Sequence, residues 1–282
     1  MLSAFFSILM RMIFLVGLLA AASGLGFLTA CSQKPSVTLV VTGSSTVAPV
    51  VAEAAARYEQ SHPGVRIEVQ TGGSSRGIAD VRSGVAALGM ISRELTADET
   101  GLVAHQIAID GVGVIVHRDN PISSLNRQQL IDIYTDKITN WMSVGGSDSP
   151  ITLISKAEGR ATLEVFLGYT GLDSADIKAD VIIGENQQAI KTVAGNPLAI
   201  AYVSIGAAAS EAGVGTPVKL LSCDGVAATS ATVASGAFPI TRPLQLVSRG
   251  ELPPAASAFL DFMMSSHIHD VITSHLYVPV VR

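Results

Sequence analysis

Three short stretches of the sequence crowd small hydroxyl residues against glycine, each where an apolar run gives way to a helix-forming one. They are Gly43 to Val47 (GSSTV), Thr71 to Gly77 (TGGSSRG) and Ser155 to Thr162 (SKAEGRAT). One serine or threonine is enough to cap a helix. The surplus hydroxyls are therefore candidate ligand donors. A helix N-terminus offers unpaired N–H groups and about half a positive charge. Glycine lets the backbone approach a ligand closely, and each hydroxyl adds a donor. This is the chemistry of an oxyanion site that needs little net positive charge. The third stretch adds two cations, Lys156 and Arg160, with Glu158 between them. An arginine grips a tetrahedral oxyanion with two parallel bonds, whereas a lysine acts as a point charge.

These junctions need elements to position them. From Val37 the pattern alternates: VTLVVT reads as a buried strand and VAPVVAEAAARYEQSHP as a helix ended by Pro63-Gly64. VRIEVQT is a strand, GGSSRGIADVRSG a loop feeding a short helix, and VAALGMIS a strand again. A β-α-β-α-β order predicts an α/β fold with a parallel sheet covered by helices. In such a sheet the three junctions all lie at the carboxyl ends of strands, where ligands collect. Further on, NQQAIKTVAGNPLAIAYVS is helix, turn and strand, TPVKLLSC a strand, and FPITRPLQLVSRG extended, because Pro239 and Pro243 forbid helix there. Two helices, PPAASAFLDFMMSS and HIHDVITSHLY, close the chain.

The composition narrows the function classes. Of 282 residues, 48% are hydrophobic and 15% charged, which excludes global disorder. A net charge of −5 without a basic block argues against nucleic-acid binding. Residues 1–30 have the layout of an export signal, with one charge, Arg11, before an apolar run. LTAC, ending at Cys31, is similar to a bacterial lipobox. The expectation is a lipidated Cys31 anchored to a membrane, followed by a polar tether over 31–36. Cys223 then has no disulfide partner and reads as a small buried hydrophobe. The six histidines fall in no catalytic motif, no G-x-S-x-G elbow is present, and no HExxH, CxxC or EF-hand pattern appears. No enzyme, cofactor or metal is expected.

The junctions, with ALGMISREL, IAIDGVGVIVHRDNPISSL, ITNWMSVGG, AGNPLAIAYVS and the closing RPLQLVSRGELPPAASAFLDFMMSS, make the chain resemble PstS-type phosphate-binding proteins of ABC importers. The likeness runs from Val37 to Val281. It implies a type II periplasmic-binding-protein fold: two lobes, each a mixed, mostly parallel sheet flanked by helices, with the ligand in the cleft between them. The stretches IAIDGVGVIVH and AFPITRPLQLVS are the expected crossovers, giving one lobe from 37–112 and 239–282 and the other from 113–238. The resemblance implies inorganic phosphate as ligand and ABC permease and ATPase subunits as partners. It also implies a monomer in the periplasm or at the cell surface.

Residue by residue, the resemblance carries phosphate contacts to Thr46 and the N–H of Val47, to Ser74 with Ser75 beside it, and to Thr162, with Ser45 and Ala161 in the same junctions. Ser92 falls where some members carry an aspartate that accepts the phosphate proton. The third junction departs from the family pattern: Lys156 stands for an arginine, Arg160 for a serine and Ala161 for a glycine. Asp110, Glu158 and the Ser92 hydroxyl are the candidate proton acceptors. Another oxyanion such as sulfate or molybdate, and a sensing or scavenging role without a transporter, stay open. Trp141 is expected to pack inside the second lobe, and Arg76 and Arg93 to flank the cleft.

Overall fold

The computed structural model describes residues 37–281. The expected signal (1–30), the tether (31–36) and Cys31 lie outside them. The chain begins with β1 (Val37–Gly43), α1 (Ala48–Ser61), β2 (Val65–Thr71), α2 (Ser74–Ser83) and β3 (Leu88–Ile91). β1 lies between β2 and β3, parallel to both. α1 starts with Pro49 in its first turn, where a missing N–H costs nothing. It buries Val50, Val51, Ala54, Ala55 and Tyr58, one helical face, as the spacing predicts.

β4 (Leu102–His117) follows as one 16-residue strand. Then come β5 (Ser124–Leu125), α3 (Arg127–Tyr134), β6 (Thr152–Lys156), α4 (Ala161–Thr170), β7 (Val181–Ile183), α5 (Asn186–Gly195) and β8 (Ala199–Ser204). α6 (Ile205–Gly213), β9 (Val218–Leu220), β10 (Ser222–Cys223), α7 (Ser230–Ala234), β11 (Thr241–Arg249), α8 (Pro254–Met263), α9 (His269–Ser274) and β12 (Val278–Pro279) complete the chain. The main sheet runs β2-β1-β3-β11-β4-β8-β6-β7.

β4 changes partners along its length. From Leu102 to Gly111 it pairs antiparallel with β11, and from Val112 onward with β8 and β9. β11 in turn lies antiparallel to β3. The sheet is therefore parallel in its outer ladders and antiparallel in the middle, where the two extended crossover stretches pair with each other. β8 and the second half of β4 are buried at every position, as expected of strands covered on both faces.

Separate cores flank this crossing. One gathers Val41, Val51, Leu88, Phe259 and Ile272 under α1, α8 and α9. Another holds Tyr134, Phe166 and Tyr202 around the buried Trp141, whose indole N–H donates to the Leu198 carbonyl at 3.0 Å. A third packs Ile190 and Val193 of α5 against Ile154 and Val203. Cys223 is a buried free thiol. Two sequence expectations were too coarse. TPVKLLSC breaks at Leu221 into β9 and β10, and HIHDVITSHLY opens with a 3-10 turn over Ser266–Ile268 before α9.

The approach of α2 to the sheet depends on Gly77. A Cβ there would lie 2.8 Å from the Thr42 carbonyl oxygen and 2.9 Å from that of Met90, both fixed by strand pairing. Gly77→Ala should therefore cost about 1–3 kcal/mol, as overpacking does. Urea unfolding would show this as a lowered midpoint; an unchanged midpoint would mean that α2 can shift freely.

Candidate functional site

The three junctions converge. Ser44, Ser45 and Thr46 lie between β1 and α1, Gly73 and Ser74 open α2, and Ser92 follows β3. Arg160, Ala161 and Thr162 open α4, and Gly184 precedes α5. Together these residues line one small polar cavity with about 10 Å3 of free volume, barely the room that one water needs. Seven sequence candidates meet there: Ser45, Thr46, Ser74, Ser92, Arg160, Ala161 and Thr162. Gly73 has φ +97°, and a Cβ on it would lie 2.7 Å from the Gly159 carbonyl oxygen. Only glycine allows the second and third junctions to close on each other, and the Ser75 N–H donates to that same carbonyl at 3.4 Å.

Other candidates lie elsewhere. The Val47 side chain is fully buried in the core beneath α1, whereas the group expected to contact the ligand is its N–H. The Ser75 side chain is exposed. Lys156 is buried behind the cavity, its Nζ donating to the Glu185 carbonyl at 2.9 Å. The Thr46 N–H is spent on Ser44 Oγ at 3.2 Å. Glu158 is exposed and accepts from the Ser174 hydroxyl. Arg76 pairs with Asp80 at 3.2 Å on the surface. Arg93 is buried, bonded twice to Glu99 at 2.7 Å and paired with Glu164 of α4.

The residue that organises the cavity was not among the sequence candidates. Arg242, on β11, is 2% exposed. It sits directly across the ladder from Asp110 of β4 and donates to Asp110 Oδ2 from Nε at 3.2 Å and Nη2 at 2.9 Å. Its remaining N–H groups reach Thr162 Oγ1 (2.9 Å), Thr46 Oγ1 (3.1 Å) and, more weakly, Ser92 Oγ (3.4 Å). Asp110 Oδ1 accepts the Gly206 N–H at 3.3 Å. Both oxygens of this candidate proton acceptor are thus engaged away from the cavity.

These bonds direct the hydroxyl protons. A hydroxyl has two lone pairs and one proton. Thr46 Oγ1 accepts from Arg242 and from Asn186 Nδ2 at 3.0 Å, so both lone pairs are used. Ser92 Oγ accepts from Arg242 and from Ser44 Oγ at 2.9 Å. Ser74 Oγ accepts the Ser92 N–H at 3.1 Å. Each of these hydroxyls is left with its proton to give. Ser92, a candidate acceptor by sequence, is a donor in this network. Such an arrangement can hold an oxyanion by several donors at once. Arg242 and Asn186 carry no local signal in the sequence. Only the register of β11 against β4, and the placing of α5, bring them here.

Burial pushes the Lys156 ammonium down to about 7. The Arg242 guanidinium pushes the same way, Glu185 opposes it, and Arg160 adds to the fall. Among the described residues no group of histidines, cysteines and carboxylates could hold a metal.

A mixed sheet with separate cores, crossed by two extended strands and carrying a donor-lined cavity at its strand ends, defines a binding protein of the two-lobed periplasmic class. A family model described as a PBP superfamily domain matches residues 29–267, and the chain belongs to this family. Within it the chain is of the PstS type. It is 31% identical to the phosphate-binding protein PstS of Bacillus subtilis over 253 residues, covering 88% of this chain and 82% of the relative. Among solved structures it is similar to a Clostridium perfringens protein described as a phosphate ABC transporter substrate-binding protein with bound phosphate. There the TM-score is 0.81 at 33% identity, covering 86% of this chain and all of the other. An ABC-type phosphate transport receptor from Vibrio cholerae gives a TM-score of 0.71 at 29% identity, with 86% of this chain and all of the other covered.

The depressed Lys156 has a measurable consequence. The fold disfavours the charged lysine, so the anion-free protein should gain stability as pH rises from about 7 toward the ordinary lysine value of 10.5. A bound anion favours the protonated form and raises this pKa. Its contribution to affinity is complete below about pH 7 and is lost as pH rises through the bound-state value. At pH 8, phosphate binding should take up a proton. Calorimetry in buffers of different ionisation heat would measure it, and Lys156→Met should abolish the lysine's share. Unchanged uptake in that variant would separate Lys156 from the anion.

Proposed function

We propose that this chain captures inorganic phosphate in the cavity between the three junctions and passes it to an ABC importer. It acts by binding, without covalent chemistry. Members of its family are solute-binding proteins, not enzymes, and work outside the cytoplasm. One observation carries the reading. The buried Arg242 guanidinium takes up hydroxyl lone pairs around the cavity, so Thr46 and Ser92 are left with protons to give, with Ser74 and Thr162 beside them. In our assignment those four residues and Ser45 donate to the anion, with Arg242, Arg160 and Lys156 supplying charge. Residues 37–112 and 239–282 form one lobe and 113–238 the other. The change of partners along β4 at Val112 supports that boundary. The permease and ATPase subunits, a lipid anchor at Cys31 and a monomeric state belong to the same proposal.

A second reading is a receptor for sulfate. It is favoured by the hydroxyl network itself, because a cavity of donors alone suits an oxyanion without a proton.

The test is calorimetry on protein freed of bound anion by unfolding and refolding, titrated with phosphate and then sulfate at one pH and salt. Phosphate is expected to bind at micromolar Kd or tighter, about −8 kcal/mol or better. Tight sulfate with weak phosphate would give the cavity to the second reading, and no binding of either would remove the cavity's assignment. Replacing the pair together, as Arg242→Met with Asp110→Asn, leaves no orphan charge in the interior. That double variant should lose at least a hundredfold in phosphate affinity. Retained affinity would confine Arg242 to a structural role.

A further inference from the structure

We propose that Arg93 and Glu164 form a latch between the lobes, which holds the cavity shut over its anion and slows release. This rests on the two-lobe reading and on the cavity being the phosphate site. Arg93 follows β3 in the first lobe, and Glu164 stands in the first turn of α4 in the second. The Arg93 side chain is only 9% exposed. Its Nη1 and Nη2 are committed to Glu99 at 2.7 Å each, and Nη1 also donates to the Glu94 carbonyl at 2.8 Å. Glu99 is itself held by the Thr96 N–H at 2.9 Å, and Gln245 Nε2 donates to the Arg93 carbonyl at 2.8 Å. The arginine is thus fixed and neutralised within its own lobe.

Its Nε faces the other lobe. This nitrogen is sealed from water with no acceptor in hydrogen-bonding geometry among the described residues, and the Glu164 carboxylate lies against it as an ion pair. A second carboxylate is surplus to neutralising one guanidinium; what it adds is a tie from α4 to the end of β3. When the lobes part, Arg93 keeps Glu99, and Glu164, already 33% exposed, returns to water. Opening leaves no charge buried alone, so the large penalty for breaking a buried pair is avoided and the tie can break and re-form. α4 also carries Ala161 and Thr162 of the cavity wall, with Arg160 at its cap. Holding α4 therefore holds the third junction over the anion. Neither Arg93 nor Glu164 lines the cavity, so removing their contact leaves every donor in place.

The sign of the effect separates a latch from simple charge. A carboxylate near an anion site repels the anion, so charge alone would make Glu164→Gln bind phosphate more tightly. A latch makes it bind more weakly, through faster release, because losing one side of a buried pair acts on dissociation rather than on encounter. The experiment loads the full chain with radiolabelled phosphate and chases it with excess unlabelled phosphate. In Glu164→Gln release should quicken about threefold or more, with association held within about twofold. Glu164→Lys sets like charge against Arg93 and should quicken release further. Unchanged or slower release in both variants overturns the proposal. Small-angle scattering of the wild-type protein, with and without phosphate, tests the underlying reading: binding without compaction would overturn closure of two lobes, and the latch with it. Failure to bind phosphate at all would overturn the reading of the cavity instead.

Discussion

The site hangs on one buried ion pair. Arg242 and Asp110 face each other across β11 and β4, with side chains at most 1% exposed. Taking two such charges out of water costs several kcal/mol each, and only close pairing with further hydrogen bonds offsets it. Here the surplus N–H groups of the guanidinium supply those bonds to Thr46, Thr162 and Ser92. These hydroxyls come from the first junction, from the start of α4 and from the end of β3. The bonds that make the buried arginine tolerable also tie together the separate elements around the cavity. They leave the Thr46 and Ser92 hydroxyls with only a proton to give.

This arrangement explains how an acidic chain can hold an anion. The net charge of −5 is spread over the molecule, while Arg242, Arg160 and Lys156 gather at the cavity against Asp110 and Glu185. Charges separated by more than about 10 Å of salty water are largely screened, and buried ones are screened much less. The local excess of cation therefore decides what enters. The lowered pKa of Lys156 comes first from its burial, with Arg242 and Arg160 adding to the fall.

The walls are held by close backbone contact and by a second ionic cluster. Gly73 and Gly159 meet without side chains between them, and the Ser75 N–H bonds across the gap. Arg93, following β3, joins Glu99 beside it and Glu164 on α4. The second and third junctions are thus clasped by backbone, and the end of β3 is tied to α4 by charge.

The alternation of strands and helices was legible in the sequence because its signals are local. Apolar runs, glycine with hydroxyls at their ends, and Pro63-Gly64 after α1 act within a few residues of themselves. The same locality made the mouths of three helices readable, and Ser45, Thr46, Ser74, Ser92, Arg160, Ala161 and Thr162 do line one cavity. Arg242 and Asn186 were not legible. An arginine within TRPLQLVS looks like any strand residue, and its burial follows from pairing with Asp110, 132 positions earlier. The filling of the Thr46 and Ser92 lone pairs and the burial of Lys156 depend on the same long-range register. Sequence sets which groups can bind an oxyanion, since that is a property of residue type. Tertiary structure decides which lone pairs are already taken, since a hydrogen bond is satisfied only by what lies within about 3 Å of it.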